Sequence, residues 1–240
     1  MELNISKCNV VSFCSRKSKF EFQCSINGTP LQHVETTMYL GVLFDEKLSF
    51  SPHIESIIKK ANSALYFVRR VFAKSTAEIK EKVYNALVRS KVEYAATAWD
   101  PHTKHLVNSL EMVQRRATRF VMNDYNLESS VSEMVEKLNW DALQMRRTFA
   151  RLKNFYLVYN GVGGWVDLVE YLKPAGRMGR SEREFAVRTN VARTNIGKFS
   201  FITRTSVEWN NLPAEILTNS STLRGFKGQL RSHLFGGSND

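Results

Sequence analysis

The feature that most constrains this chain is a change of hydrophobic period at Ser51-Pro52. Before it, short β-rich runs are separated by turn residues; after it, apolar residues recur at helical spacing for most of the remaining sequence. Such a switch predicts an α+β fold, with a small N-terminal antiparallel β unit followed by a mainly α-helical domain. The expected strands are Ile5 to Phe13, Phe20 to Ile26, Leu31 to Val34 and Met38 to Phe44, with Asn27-Gly28-Thr29-Pro30 as a turn. Ser51 reads as the cap of the first helix, with Pro52 at its first position, where a missing N–H costs nothing. At 240 residues and 43% hydrophobic content, the chain can bury about 70–75% of its unfolded surface, enough for one large domain or two small ones.

The helices can be read from their apolar faces. Over 52–73, Ile54, Ile57, Ile58, Ala61, Leu65, Val68 and Phe72 form one stripe, and Lys59, Ser63, Tyr66, Arg70 and Lys74 lie opposite. The capping box Ser75-Thr76-Ala77-Glu78 opens a second helix expected to reach Trp99 and stop before Pro101. A third, 104–122, turns Leu106, Leu110, Val113, Ala117 and Val121 inward and Lys104, Asn108, Arg115 and Arg119 outward. Ser130 with Glu133 opens a short helix to Leu138, and Asp141 with Gln144 is expected to cap one that ends at Asn160-Gly161. This last helix is apolar on nearly every side, which places it centrally. Residues 173–198 are rich in Arg, Gly and Asn without a period, an arm with one strand near Phe185 to Arg188. Helices at 203–211 and 222–235 close the chain around Pro213. The expected division is 1–50, 51–172 and 173–240.

Charge then narrows the partner. The formal charge is +11, and summed charge of this size favours polyanions. It is also clustered: residues 57–91 hold nine Lys and Arg against two Glu, and residues 173–204 hold eight against two Glu. Cations interleaved with aromatic faces suit nucleic acid. Lys59, Lys60, Tyr66, Arg69 and Arg70 on one helix and Arg115, Arg116 and Arg119 on another are the candidate contacts. No uncharged stretch reaches the roughly 18 apolar residues of a membrane span. The N-terminus lacks the apolar run of a secretory signal, so an intracellular location, nucleus or cytoplasm, is expected.

Catalytic constellations are hard to find. There is no Asp-Asp pair, Walker loop, nucleophile elbow or dinucleotide fingerprint. Asp45-Glu46 follows a strand and reads as a solvated turn. His102 and His105 have no third metal ligand in view, and His33, His53 and His233 are isolated. Cys8, Cys14 and Cys24 match no disulfide framework or zinc knuckle and read as buried or half-buried thiols.

An ordered set of short motifs resembles a specific family. Asn4-Ile5-Ser6-Lys7-Cys8-Asn9-Val10-Val11, Tyr39-Leu40-Gly41-Val42, and Leu48-Ser49-Phe50 with His53-Ile54 come first. Val92-Glu93-Tyr94 with Trp99-Asp100-Pro101, and Leu110-Glu111 with Val113-Gln114-Arg115-Arg116-Ala117, follow. Phe199-Ser200-Phe201, Arg204-Thr205 and Trp209-Asn210-Asn211-Leu212-Pro213 complete it. The set resembles the reverse transcriptases of animal non-LTR retrotransposons, jockey-like mobile elements, downstream of their catalytic motif.

That resemblance implies an RNA-directed DNA polymerase lineage. It would make Lys7 a nucleotide-proximal residue, Tyr39, Leu40 and Gly41 a primer-grip hairpin on a palm remnant, and the helices from about 52 a thumb holding RNA or RNA–DNA duplex. The family's catalytic aspartates lie upstream of the matching region. The chain is therefore expected to be a truncated, non-catalytic fragment with no cofactor of its own, Mg2+ belonging only to a complete polymerase. The alternatives are a part of an active enzyme with a separate fingers–palm fragment, and a non-functional remnant. An exposed sheet edge would favour self-association.

Overall fold

The computed structural model describes residues 4–13, 22–162, 169, 172, 185–218, 220 and 222–236. Its N-terminal part contains six short strands: β1 (Asn9–Val10), β2 (Ser25–Ile26), β3 (Thr29–Pro30), β4 (Gln32–His33), β5 (Thr36–Tyr39) and β6 (Val42–Asp45). They form three two-stranded ladders rather than one sheet. β2–β3 and β5–β6 are antiparallel, but β1–β4 is parallel, which corrects the expectation of a purely antiparallel unit. The expected strand at Ile5 to Phe13 is shorter, because Ile5–Lys7 forms a 3-10 turn. Phe20 and Cys14 lie outside the described residues.

Both antiparallel ladders are tight hairpins whose two loop residues have positive φ. These are Asn27 and Gly28 (50° and 78°) and Leu40 and Gly41 (46° and 79°), the twist that two-residue hairpins require. In β5–β6 the register pairs Thr36 with Asp45 and Tyr39 with Val42.

Helix α1 (Ser51–Val71) follows directly. Its cap is not Ser51. Phe50 occupies the cap position in a left-handed conformation with no side-chain cap bond, and Asp45 binds the backbone just before the helix. Asp45 Oδ1 accepts from Phe50 N at 2.8 Å and Oδ2 from Ser49 N at 3.1 Å. Asp45 is buried, so the reading of a solvated turn is corrected: the carboxylate satisfies otherwise orphaned backbone donors at the strand–helix junction.

The expected second helix is broken. α2 (Ala77–Tyr84) is capped by Thr76 rather than Ser75, and a π-helical turn at Asn85–Arg89 leads into α3 (Ser90–Glu93). Ala95 then turns left-handed (φ 50°) before α4 (Ala96–Trp99). α5 (Lys104–Met122) and α6 (Val131–Lys137) match expectation, and the Ser130 hydroxyl accepts from Glu133 N.

α7 (Leu143–Tyr159) is not capped by Asp141. Instead Glu111 reaches across from α5, its carboxylate accepting from Leu143 N at 3.2 Å and Gln144 N at 2.7 Å. Asp141 is drawn to Arg146, 3.4 Å away. The chain closes with α8 (Asn195–Lys198), α9 (Phe201–Asn210), α10 (Ala214–Thr218) and α11 (Leu223–Phe235). The strand expected near Phe185 to Arg188 is reduced to an isolated bridge at Val187.

Two apolar cores result. The first packs Ile54, Ala61, Leu65 and Val68 of α1 against Tyr84, Val88, Leu110, Val113 and Ala117. The second gathers Leu152, Phe155 and Tyr156 of α7 around Trp209, Phe226 and Leu230. α7 serves both, with Leu143 in the first core and Leu152 onward in the second. No helix among the described residues is long and apolar enough to cross a membrane.

Candidate nucleic-acid interface

α1 and α5 lie side by side, and two contacts set their direction. Arg116 Nη1 donates to Asn62 Oδ1 at 3.0 Å, and further along both segments the Arg69 guanidinium sits 5.0 Å from the Tyr125 ring centroid. The helices therefore run parallel, and their polar faces join along one edge. Lys59, Lys60, Tyr66, Arg69 and Arg70 from α1 and Arg115 and Arg116 from α5 are all exposed. Among the described residues none of these cations forms a salt bridge. A row of unneutralised cations beside an exposed tyrosine is what a phosphate backbone with accessible bases or sugars requires.

Arg119 behaves differently from the others. Its guanidinium donates to the carbonyls of Asp124 (3.4 Å), Asn126 (2.6 Å) and Ser129 (3.3 Å), so it fastens the loop after α5. Lys80, part of the basic run 57–91, is buried, 3.5 Å from Asn123 Oδ1 and 5.1 Å from the Phe120 ring centroid.

The three residues read as a primer grip form the tip of the β5–β6 hairpin. Tyr39 and Leu40 are 64% and 74% exposed. Behind them Tyr94 donates its hydroxyl to Leu40 O at 2.9 Å. Its ring lies so close that a Cβ on Gly41 would come within 3.2 Å of Tyr94 Cε1, and φ +79° already disfavours any other residue there. The hairpin is held to the helical part by β6, whose Leu43 N donates to His53 Nδ1 at 3.2 Å. Lys7 is exposed at the end of the 3-10 turn, in the segment whose β1 pairs with β4.

Sequence reasoning missed a buried charge cluster where α4, α7 and α9 meet. Asp100, just beyond α4, receives three arginines. Arg147 Nε lies 2.6 Å from Oδ1, Arg204 Nη1 3.3 Å from Oδ2, and Arg151 Nη1 in direct contact with Oδ2. Glu208 accepts from Arg151 Nη2 at 2.5 and 2.7 Å, and Glu111 lies 4.0 Å from Arg147. Arg147 and Arg151 are each only 2% exposed. Burial pushes the Arg147 guanidinium down to about 10 and lowers Arg151 and Arg204 as well. Their i, i+4 spacing on α7 was a signal, because it places two cations on one face of a helix rich in apolar residues.

Arg204 therefore does not belong to an exposed basic arm. Arg188, Arg193 and Lys198 of that segment are exposed, and its residues 173–184 lie outside the described part. His102 stacks on Phe199 with ring centroids 3.9 Å apart, and burial lowers its pKa. Cys8 and Cys24 are half-buried free thiols. No group of three or more His, Cys, Asp or Glu among the described residues is placed to hold a metal ion.

No family model matches this sequence, and no solved structure matches the fold. Three curated proteins are similar. One is an uncharacterized protein of Caenorhabditis elegans, 25% identical over 123 residues, which are 51% of this chain and 62% of that protein. The others are the RNA-directed DNA polymerases of the mobile element jockey from Drosophila melanogaster and Drosophila funebris, each 25% identical over 122 residues. That stretch is half of this chain and 13% of either polymerase. The similarity supports a distant and partial relation to a mobile-element reverse transcriptase.

Proposed function

We propose that this chain is a reverse-transcriptase-derived segment that binds RNA or RNA–DNA duplex through the α1–α5 face without polymerase activity of its own. The observation that carries the reading is the separation of its cations. Lys59, Lys60, Arg69, Arg70, Arg115 and Arg116 stand exposed without acidic partners among the described residues, while Arg147, Arg151 and Arg204 of α7 and α9 are paired with carboxylates. In this reading α1 to α7 form a thumb-like region, the Tyr39-Leu40-Gly41 tip is the primer grip, and Lys7 lies toward the nucleotide side. Four of the carboxylates are engaged in holding the fold: Asp45 accepts from the Ser49 and Phe50 backbone, Glu111 caps α7, and Asp100 and Glu208 hold arginines.

The test is duplex binding measured across salt concentration. Affinity for an RNA–DNA duplex is expected to fall steeply as salt rises, with a log–log slope of about −0.9 per phosphate neutralised. Reversing Arg115 and Arg116 to Glu is expected to abolish it. Binding that ignores salt and both reversals would overturn the reading. Primer extension by the chain alone would overturn the non-catalytic part, and extension only with a supplied fingers–palm fragment would place it in a split polymerase.

A further inference from the structure

At the end of the α1–α5 face the two helices leave a notch of about 380 Å3 lined by Tyr66, Arg69, Arg70, Phe120, Asn123 and Tyr125. It falls within the range of roughly 300–1,000 Å3 typical of ligand sites. Tyr66 is 69% and Tyr125 47% exposed, and they belong to different elements, one to α1 and one to the loop after α5. Among the described residues no Asp or Glu lines the notch. The neighbouring Asp124 folds back into its own loop, its Oδ1 accepting from Asn126 N at 2.9 Å.

The notch is built rather than incidental. Arg119 ties down three carbonyls of the loop carrying Tyr125, and Asn123 makes the left-handed turn (φ 54°) that starts it. Lys80 supports Asn123 from beneath and faces the Phe120 ring. Arg69 lies 5.0 Å from the Tyr125 ring centroid, leaving Arg70 as a second cation at the rim.

From this geometry we infer that the notch takes an unpaired nucleotide, its base resting on Tyr66 or Tyr125 and its phosphate held by Arg69 and Arg70. This rests on the nucleic-acid reading above and adds a preference: strands with an unstacked base use this notch, whereas a blunt duplex uses the cations farther along the face. Two exposed aromatic faces suit a planar ring, and the purely cationic rim suits the phosphate attached to it. Neither feature selects a particular base.

Single-stranded RNA of about twelve nucleotides, carrying one 2-aminopurine, and a blunt RNA–DNA duplex of equal length test this on the intact chain. The wild type is expected to quench the 2-aminopurine. Tyr125→Ala is expected to weaken single-strand binding by about fivefold to a hundredfold, with duplex binding unchanged within about twofold, and Tyr66→Ala, on the duplex face as well, to weaken single-strand binding by a similar factor. Tyr125→Phe, which keeps the stacking face, is expected to restore both affinity and quenching. Both side chains are exposed, so a thermal melt matching wild type accompanies the comparison. If both alanine variants bind and quench like wild type while duplex binding still falls with Arg115→Glu, the notch is overturned and the duplex reading stands. If neither nucleic acid binds at low salt, both fall.

Discussion

Two groups of arginines make the same contribution to the charge of +11 and do opposite things. On the α1–α5 face, Arg69, Arg70 and Arg115 stand in solvent with no acidic partner among the described residues. At the junction of α4, α7 and α9, Arg147, Arg151 and Arg204 share Asp100, with Glu111 and Glu208 as further partners; Arg147 and Arg151 are buried and Arg204 half-buried. Net charge therefore overstates the surface available to a polyanion, and what matters is which cations lack partners. Buried ion pairs need not add net stability, but stripping one partner leaves an uncompensated charge in a low-dielectric site.

The sharpest break in this comparison comes at Asp100. Asp100→Ala would leave three guanidinium groups sharing Glu208 and Glu111, and a loss of about 3–5 kcal/mol of unfolding free energy is expected from chemical denaturation. By contrast, Arg115→Ala on the free face should move stability by no more than about 0.5 kcal/mol while weakening duplex binding. A denaturation curve for Asp100→Ala that overlays wild type would show that the cluster is not structural.

Arg119 tests the boundary between the two groups, since it lies on the α5 face yet donates to three carbonyls. Arg119→Ala should cost about 1.5–3 kcal/mol, the range for hydrogen bonds from a charged donor. Hydrogen exchange of residues 124–129 should rise with it. If Arg119→Ala behaves like Arg115→Ala, its place among the binding cations is restored.

The smallest effect concerns His53, which burial and the nearby Lys60 hold below its ordinary value of 6.5. With the folded-state value lowered, the unfolded chain takes up the proton first. The stabilisation is thus complete above pH 6.5 and declines as pH falls below it toward the folded-state value. His53→Gln should flatten that part of the melting profile, although His102 is shifted the same way and contributes its own share.

The helical architecture was largely legible because it rests on period. The bounds of α5, the Ser130 cap and the apolar stripe of α1 follow from local spacing alone. What escaped depended on distant partners. Asp45 holds the backbone four and five residues on, Glu111 caps a helix that begins more than thirty residues away, and Arg147 reads as an ordinary helical cation until Asp100 is brought against it. The break at Tyr94 and Ala95 was hidden for a similar reason, because Tyr94 turns toward Leu40 of the hairpin.

The motifs that carry the resemblance show the same pattern. Tyr94, Asp100, Glu111 and Arg204 hold the frame together, and Trp209 Nε1 and Asn210 tie the Phe185 to Val187 backbone. Of the proposed binding residues, Lys7, Tyr39 to Gly41, Arg115 and Arg116 belong to those motifs, whereas Lys59, Tyr66 and Arg69 do not. Many of the motif residues thus hold the frame.

The eight residues from Glu93 to Asp100 also act as a clasp. Glu93 grips Arg146, Tyr94 holds the hairpin tip, Thr97 accepts from Asn154 at 3.1 Å, and Asp100 closes on α7 and α9. Trp99 locks the clasp on itself, its indole N–H donating to Tyr94 O at 2.9 Å. Beside the Leu43–His53 bond of β6, this strip thus gives the Leu40-Gly41 tip a second, hydrogen-bonded and ion-paired route to α7.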